Sequence, residues 1–499
     1  MLLIFPPVSK PCEPPAGVAL LSSALKENKF SCQIYDANIN GLLYLISSDI
    51  HPIDIWSKRA LKKKEKILYD LKNPELYKNK DRYHQRIYDL NKILSISVNT
   101  KRFKISLSDY SDNKLSALNS KDLLESAKSF EQNPFFSFFE YKIKDKILNS
   151  HSKYIGISLC FLNQALVGFA LMGWIKSNFK DKKIIAGGGL ISSWMNLLGF
   201  ENPFGDLIDF MIENEGEKPL LDILGTKNIN KKYYIPDYDF VKKDLYIAPG
   251  KILPFRTSIG CYWNKCKFCP EPLLKRNFDS EKSLKTLNSL KYIEKKYSPD
   301  YIHFIDNAIP FGFLEAMAKD RFNFKWYGFV RFEKELCDQK FCFDLKKSGC
   351  IMLKLGLESG DQNILNKMNK GIDLNMASII LKNLYKTGIL SFVHLLFGTK
   401  FEDKQAALKT FEYIQKHEKY IDYLNLAVFN LPRSIENKEY FKTKEFYQGD
   451  LSFYLDFSHP FGWNRKNVKQ FLDKTFKKQI KVNKTPAFFS SNHAAFFAR

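Results

Sequence analysis

No apolar run among the 499 residues reaches the roughly 18–20 residues of a membrane span. The opening MLLIFPPVSKP has no basic region and meets prolines at once, unlike a secretory signal. A cytoplasmic protein whose first apolar residues form a buried strand is expected. There is no internal repeat and no framework of evenly placed cysteines. Of nine cysteines, Cys12, Cys32, Cys160, Cys337, Cys342 and Cys350 stand apart, several in apolar stretches, as buried small hydrophobes do. Acidic residues are in deficit, 54 against 77 basic, for a net charge of +23. Such an excess invites a nucleic-acid reading. The lysines, however, are scattered among Asn, Ile, Tyr and Phe, and runs at 62–66 and 180–183 read as solvated faces, so nucleic acid is not expected as a partner.

What is present is enough apolar sequence, 45%, for globular folding and enough length for two or three domains. The start reads strand (2–5), loop, helix (17–27), strand (32–35). Residues 51–150 break this rhythm with charged, helical segments and read as an insertion or cap. Alternation resumes with strands at 154–160, 183–186 and 208–212, the second ending in Gly187-Gly188-Gly189. Strands alternating with helices predict a doubly wound, Rossmann-like parallel sheet over 1–225, with ligands at the loops following the strands. Residues 226–252 read as a linker. Six further strands, near 255–258, 301–305, 324–329, 352–357, 390–397 and 423–429, with helices between them, predict a full or partial (β/α) barrel over 253–435. The aromatic, basic stretch 436–499 is expected to be a helical tail.

The remaining three cysteines lie within nine residues: Cys261-Tyr-Trp-Asn-Lys-Cys266-Lys-Phe268-Cys269. A structural zinc site wants a fourth Cys or His at matching spacing. The nearest candidates are His303, on a predicted strand, and the distant Cys337. Three thiolates without a fourth leave a position open for a reacting molecule, which favours an iron–sulfur cluster over a closed zinc site. The loop also follows the first barrel strand, where a barrel places its active site.

These residues resemble the radical SAM signature, a three-cysteine loop with an aromatic residue before the last cysteine. Here the spacing is C-x4-C-x2-C against the commoner C-x3-C-x2-C. The resemblance implies a [4Fe–4S] cluster on Cys261, Cys266 and Cys269, with S-adenosylmethionine on the fourth iron and Phe268 in the aromatic position. About 90 residues on, Gly356-Leu-Glu358-Ser359-Gly360 is similar to the family's G-x-E-S-G stretch beside S-adenosylmethionine. Arg331 falls where related enzymes are often basic. Gly398-Thr-Lys-Phe-Glu402 is similar to a G-F-P-x-E turn without its proline, and Asp306 and Asn307 end a strand facing the expected cavity. An electron donor such as a flavodoxin or ferredoxin is implied as partner.

The N-terminal series resembles the cobalamin-binding domain fused to many radical SAM enzymes. The resemblance implies that Asn38, Ser158, Asn163, Gly187, Gly188, Gly189 and Glu215 lie along the corrin. The D-x-H-x-x-G motif that ligates cobalt is absent, with Asn38 standing where the histidine would be. The implied function is a cobalamin-dependent radical methyltransferase. A radical SAM enzyme of another outcome (rearrangement, oxidation or sulfur insertion) without cobalamin, and a zinc-stabilised basic nucleic-acid-binding protein, are the alternatives. The substrate is not readable.

Overall fold

A computed structural model of the chain describes residues 1–226, 231–242, 244–271, 277–433, 442–484 and 491–497. The chain forms two compact units, Met1–Ile252 with Tyr447–Phe453, and Leu253–Phe446 with Tyr454–Arg499.

In the first unit, β1 (Leu2–Phe5), β2 (Gln33–Asp36), β3 (Tyr154–Ser158), β4 (Lys183–Gly187) and β5 (Phe210–Met211) form one parallel sheet in the order β2-β1-β3-β4-β5. The unbroken apolar run LLIF of β1 is buried at every position, as a strand covered on both faces must be. Asp36 ends β2 and caps the next helix, Ala37–Ser47, through the N–H groups of Asn38 and Ile39. The helix Ala165–Asn178 is apolar all round with ten buried residues, because it is covered on its outer side as well.

Much of that cover comes from the insertion. Its helices include Ile55–Lys62, Lys80–Ile96 and Ser120–Lys128. Ser126 Oγ donates to Leu166 O at 2.8 Å, fixing Ser120–Lys128 against Ala165–Asn178. The insertion also holds a short antiparallel hairpin, Phe103–Ile105 against Tyr110–Asp112, which three-residue alternation was too short to announce. The described part of 226–252 belongs to this unit: Tyr238 and Ile247 are buried, Asp237 accepts from Ser22 Oγ at 2.7 Å, and Tyr246 donates to Asp36 at 2.8 Å.

The second unit is built on β6 (Ile252–Phe255), β7 (Tyr301–Phe304), β8 (Lys325–Val330), β9 (Cys350–Glu358), β10 (Leu390–Phe397), β11 (Tyr423–Val428) and β12 (Asn483–Lys484). They pair in strict chain order, the ladders from β7 to β12 being parallel. The sheet has two ends, so the barrel is partial. The tail carries a helical stretch from Arg465 and adds three things: the seventh strand β12, two strands of a small antiparallel sheet (Leu431–Pro432, Thr443–Glu445, Tyr454–Phe457) and a turn at Ser491–Phe496. At the middle of β9, Asn492 of that turn accepts from the buried Lys354 at 2.5 Å, and at the start of β7, Phe496 packs on Tyr301 with centroids 4.6 Å apart. No helix among the described residues is long and apolar enough to cross a membrane.

The tightest helix contact gives a stability test. A β-carbon on Gly173 would lie 1.8 Å from Ala127 O, whereas one on Gly17 meets nothing within 4 Å. Gly173→Ala is expected to cost about 3 kcal/mol or more through overpacking against backbone. Gly17→Ala is expected to stabilise by about 0.5 kcal/mol through helix propensity. Denaturant titration of the two variants checks both signs.

Candidate functional site

The cysteine loop leaves β6 through a fixed point. Asp306, just past the end of β7, is buried, and its Oδ1 accepts from Thr257 N (3.0 Å), Thr257 Oγ1 (2.9 Å), Ser258 N (2.7 Å) and Ser258 Oγ (2.8 Å). Burial pushes this carboxyl up to about 6 while the same hydrogen bonds oppose the shift. Asp306 therefore clamps the chain three residues before Cys261 instead of facing the cavity, and Asn307 is exposed. This corrects the sequence expectation for Asp306.

Beyond the clamp, Gly260 adopts φ +73°, and the loop is pinned to the segment after β9 at several points. Trp263 Nε1 donates to Asn369 O at 2.8 Å, and Lys267 N donates to Met368 O at 2.9 Å. The indole lies over Gly371, where a β-carbon would come within 2.2 Å of the ring; the φ of +69° there also favours glycine. Arg331, buried, also lies against the indole, its Cζ 4.5 Å from the ring centroid. Arg331 Nη2 donates to Lys370 O at 2.5 Å, and its Nε lies 3.6 Å from Glu333 Oε1, which also accepts from Tyr262 OH at 2.6 Å.

Phe268 packs against Ile364, Met368 and Ala406 with Phe401, and Lys370 Nζ stands 5.6 Å from its centroid. Lys370 in turn pairs with Glu358 at 3.0 Å. The Gly356–Gly360 stretch is shaped around this pair. A β-carbon on Gly356 would lie 2.5 Å from Glu358 Oε1 and 2.9 Å from Lys370 Nζ. Glu358 itself takes φ +68°, beside a register break in the ladder. Ser359 faces inward instead: it is fully buried, 3.1 Å from Thr410 Oγ1, and accepts from Asp361 N at 3.1 Å. Its role is to set the turn, which corrects its assignment as a ligand contact. The later turn closes without proline, Glu402 reaching back to accept from Gly398 N at 2.5 Å and from Trp463 Nε1 at 3.0 Å.

Cys261, Cys266 and Cys269 are half-buried free thiols. Burial raises Cys266, opposed by the cations Lys370 and Arg331, and burial pushes Cys269 up to about 11. Among the described residues, no three His, Cys, Asp or Glu side chains are grouped closely enough to hold a metal ion. The donor chemistry nonetheless fits an iron–sulfur cluster: three soft thiols on one loop, each of the last two within electrostatic reach of Cys261, with cations on hand. The proposed zinc partners are engaged elsewhere. His303 stacks on Tyr327 with centroids 4.8 Å apart, and Cys337 Sγ points to Met376 O at 3.9 Å.

In the first unit, the expected corrin-lining residues all sit at the C-terminal edge of one parallel sheet, as its topology requires. Their side chains are not equally available. Asn38 is buried and spends its amide on Ser9, accepting from N at 2.8 Å and donating to O at 3.0 Å. Asn163 Nδ2 donates to Ser108 O at 2.7 Å, and Ser158 Oγ lies 3.6 Å from Cys160 Sγ. At Gly188, φ is +100° and a β-carbon would sit 2.5 Å from Leu159 O, so glycine is required by the fold. Gly187 and Gly189 have only ordinary contacts, and Glu215 is half-exposed. Sequence reading placed Gln164 in an edge loop without giving it a role of its own; it is fully buried. It accepts from Cys160 N (2.8 Å) and Phe161 N (3.0 Å) and donates to Pro6 O (2.6 Å), tying two edge loops together. It also missed Trp263 and Lys370, whose parts depend on the turn at Gly371.

Removing the Asp306 acceptor leaves two buried N–H groups and two hydroxyls unsatisfied. Asp306→Ala is expected to lose about 3 kcal/mol, with iron retention after reconstitution falling alongside. Asp306→Asn, which keeps an oxygen, is expected to lose about half as much. Denaturant titration and iron analysis check this.

No family model matches the chain. It is 24% identical over 227 residues to an uncharacterized methyltransferase of Pyrococcus horikoshii, covering 44% of this chain and 47% of the relative. It is 22% identical over 219 residues to a bacteriochlorophyllide d C-12(1)-methyltransferase of Chlorobaculum tepidum, covering 42% and 46%. The matches thus span about half the length of these curated relatives. In structure it is similar to the radical S-adenosylmethionine methyltransferase TsrM of Kitasatospora setae. With tryptophan substrate and a S-adenosylmethionine analogue bound to that enzyme, the TM-score is 0.54 at 13% identity, over 90% of this chain and 79% of that one. With cobalamin and a [4Fe–4S] cluster bound to it, the TM-score is 0.51 over 88% and 74%. The chain thus has the fold of the radical S-adenosylmethionine enzymes that carry an N-terminal cobalamin-binding-type domain.

Proposed function

We propose that the chain is a cobalamin-dependent radical S-adenosylmethionine methyltransferase. The observation that carries this reading is the seating of a three-thiol loop against the Glu358–Lys370 pair at the C-terminal ends of barrel strands. Cys261, Cys266 and Cys269 would hold a [4Fe–4S] cluster, and the sheet edge of the first unit would hold cobalamin. When bound, these groups supply one electron to break the S–C5′ bond of S-adenosylmethionine, giving a radical able to take hydrogen from carbon, and a transferable methyl group.

The chain's own residues bind and orient. Glu358 offers a carboxylate to the ammonium of S-adenosylmethionine, and Lys370 offers a cation to its carboxylate, so one buried ion pair can exchange partners with a zwitterion. Arg331 adds positive potential beside Trp263, which opposes the rise that burial imposes on Cys266. Phe268 and its apolar neighbours exclude water from that side. A flavodoxin or ferredoxin would deliver the electron. Because Asn38 replaces the histidine and is fully bonded to Ser9, that position supplies no protein imidazole to cobalt.

Anaerobically reconstituted protein is expected to be brown and to yield 5′-deoxyadenosine or S-adenosylhomocysteine from S-adenosylmethionine under a strong reductant. Alanine at any one of Cys261, Cys266 or Cys269 is expected to abolish both the colour and the products, as read by absorbance and chromatography. A corrinoid band that survives gel filtration distinguishes methyl transfer from a radical outcome without cobalamin. Full cluster and activity in the triple alanine variant would sink the reading.

A further inference from the structure

The tail's small antiparallel sheet and the helix Arg465–Phe471 line an open groove of about 920 Å³, roomy enough for a metabolite-sized ligand. Its charge is one-sided. Four lysines, Lys442, Lys444, Lys466 and Lys469, and Arg465 line it against a single carboxylate, Asp456. Asp456 is taken by Lys444 at 3.3 Å. Among the described residues, Lys442, Arg465 and Lys466 have no carboxylate partner.

Arg465 is also built in rather than loose. Its Nη1 donates to Asn430 Oδ1 at 2.5 Å, and its guanidinium lies 4.9 Å from the Phe446 centroid, so the cation is held at the inner wall. Lysines turned into solvent on a convex face need no ligand, but several cations facing one concavity repel each other unless an anion joins them. A second, narrow cleft shares Asp456 and Arg465 with the groove and reaches Gly398 and Asn430, which follow β10 and β11. The groove therefore leads to the C-terminal end of the barrel strands, the end from which the cysteine loop also leaves β6.

We propose that this groove binds an anionic portion of the substrate, a cluster of phosphate or carboxylate oxygens on a small molecule. The proposal rests on the methyltransferase reading for the word substrate, though not for the binding itself. Arg465 supplies a fixed fork for such oxygens, and Lys442, Lys466 and Lys469 supply mobile charges at the mouth.

Calorimetry on full-length, cluster-reconstituted protein with inorganic pyrophosphate and with citrate tests it. One-to-one binding of at least one probe is expected, and the tighter probe identifies phosphate or carboxylate as the source. The double substitution K466Q/K469Q is expected to weaken that binding about tenfold, and R465Q at least as much. K295Q, on the distant helix Ser283–Tyr297, is expected to leave it unchanged. Binding of neither probe, or binding indifferent to K466Q/K469Q and R465Q, overturns the proposal. So does tighter binding of an RNA oligonucleotide with a steep salt dependence that the same substitutions remove. S-Adenosylmethionine cleavage by the same wild-type preparation separates the two failures: cleavage without anion binding removes the groove alone, and no cleavage removes the methyltransferase reading.

Discussion

The Trp263 indole, packed on the bare backbone of Gly371 and on the Arg331 guanidinium, is the contact from which the rest of the site hangs. A loop carrying three thiols has no regular structure of its own to hold it. Its geometry must be borrowed from the elements it touches. Here the indole locks the middle of the loop to the turn after β9, Asp306 locks its start, and Phe268 locks its end. The same turn presents Lys370 to Glu358, so the placement of the thiols and of the charged pair are one structural event.

The electrostatics follow from that arrangement. Burial alone disfavours thiolates, as the raised values of Cys266 and Cys269 show. Arg331 and Lys370, themselves buried, act in the other direction on Cys266. Two buried cations are costly unless paired or bonded. Lys370 meets Glu358, while Arg331 meets a carbonyl, an aromatic face and the nearby Glu333. Both cations are thus compensated within the chain.

Much of this was legible in the sequence. The βα alternation predicted both sheets, because buried parallel strands leave continuous apolar runs, and the cysteine loop and Gly356–Gly360, singled out by their spacing, approach one another through Lys370 and Glu358. What escaped depended on folding. Two-residue β12 and the 103–112 hairpin are too short to carry a period. Ser359 and Asn38 had the right chemistry, but their side chains turn toward Thr410 and Ser9. Asp306 ends a strand at the expected mouth, yet the donors of Thr257 and Ser258 reach it first. Lys370 gave no signal, since a lysine after a helix is ordinarily solvated, and only the left-handed Gly371 and the overlying indole bring it to Glu358.

Electron paramagnetic resonance of the reduced, reconstituted full-length protein, recorded with and without S-adenosylmethionine, tests the central claim most directly. If the three-thiol loop holds a cluster with one iron left open, the protein contains about four irons per chain, and S-adenosylmethionine changes the spectrum of the reduced cluster. Stoichiometric zinc without iron, or a cluster spectrum indifferent to S-adenosylmethionine, would contradict it.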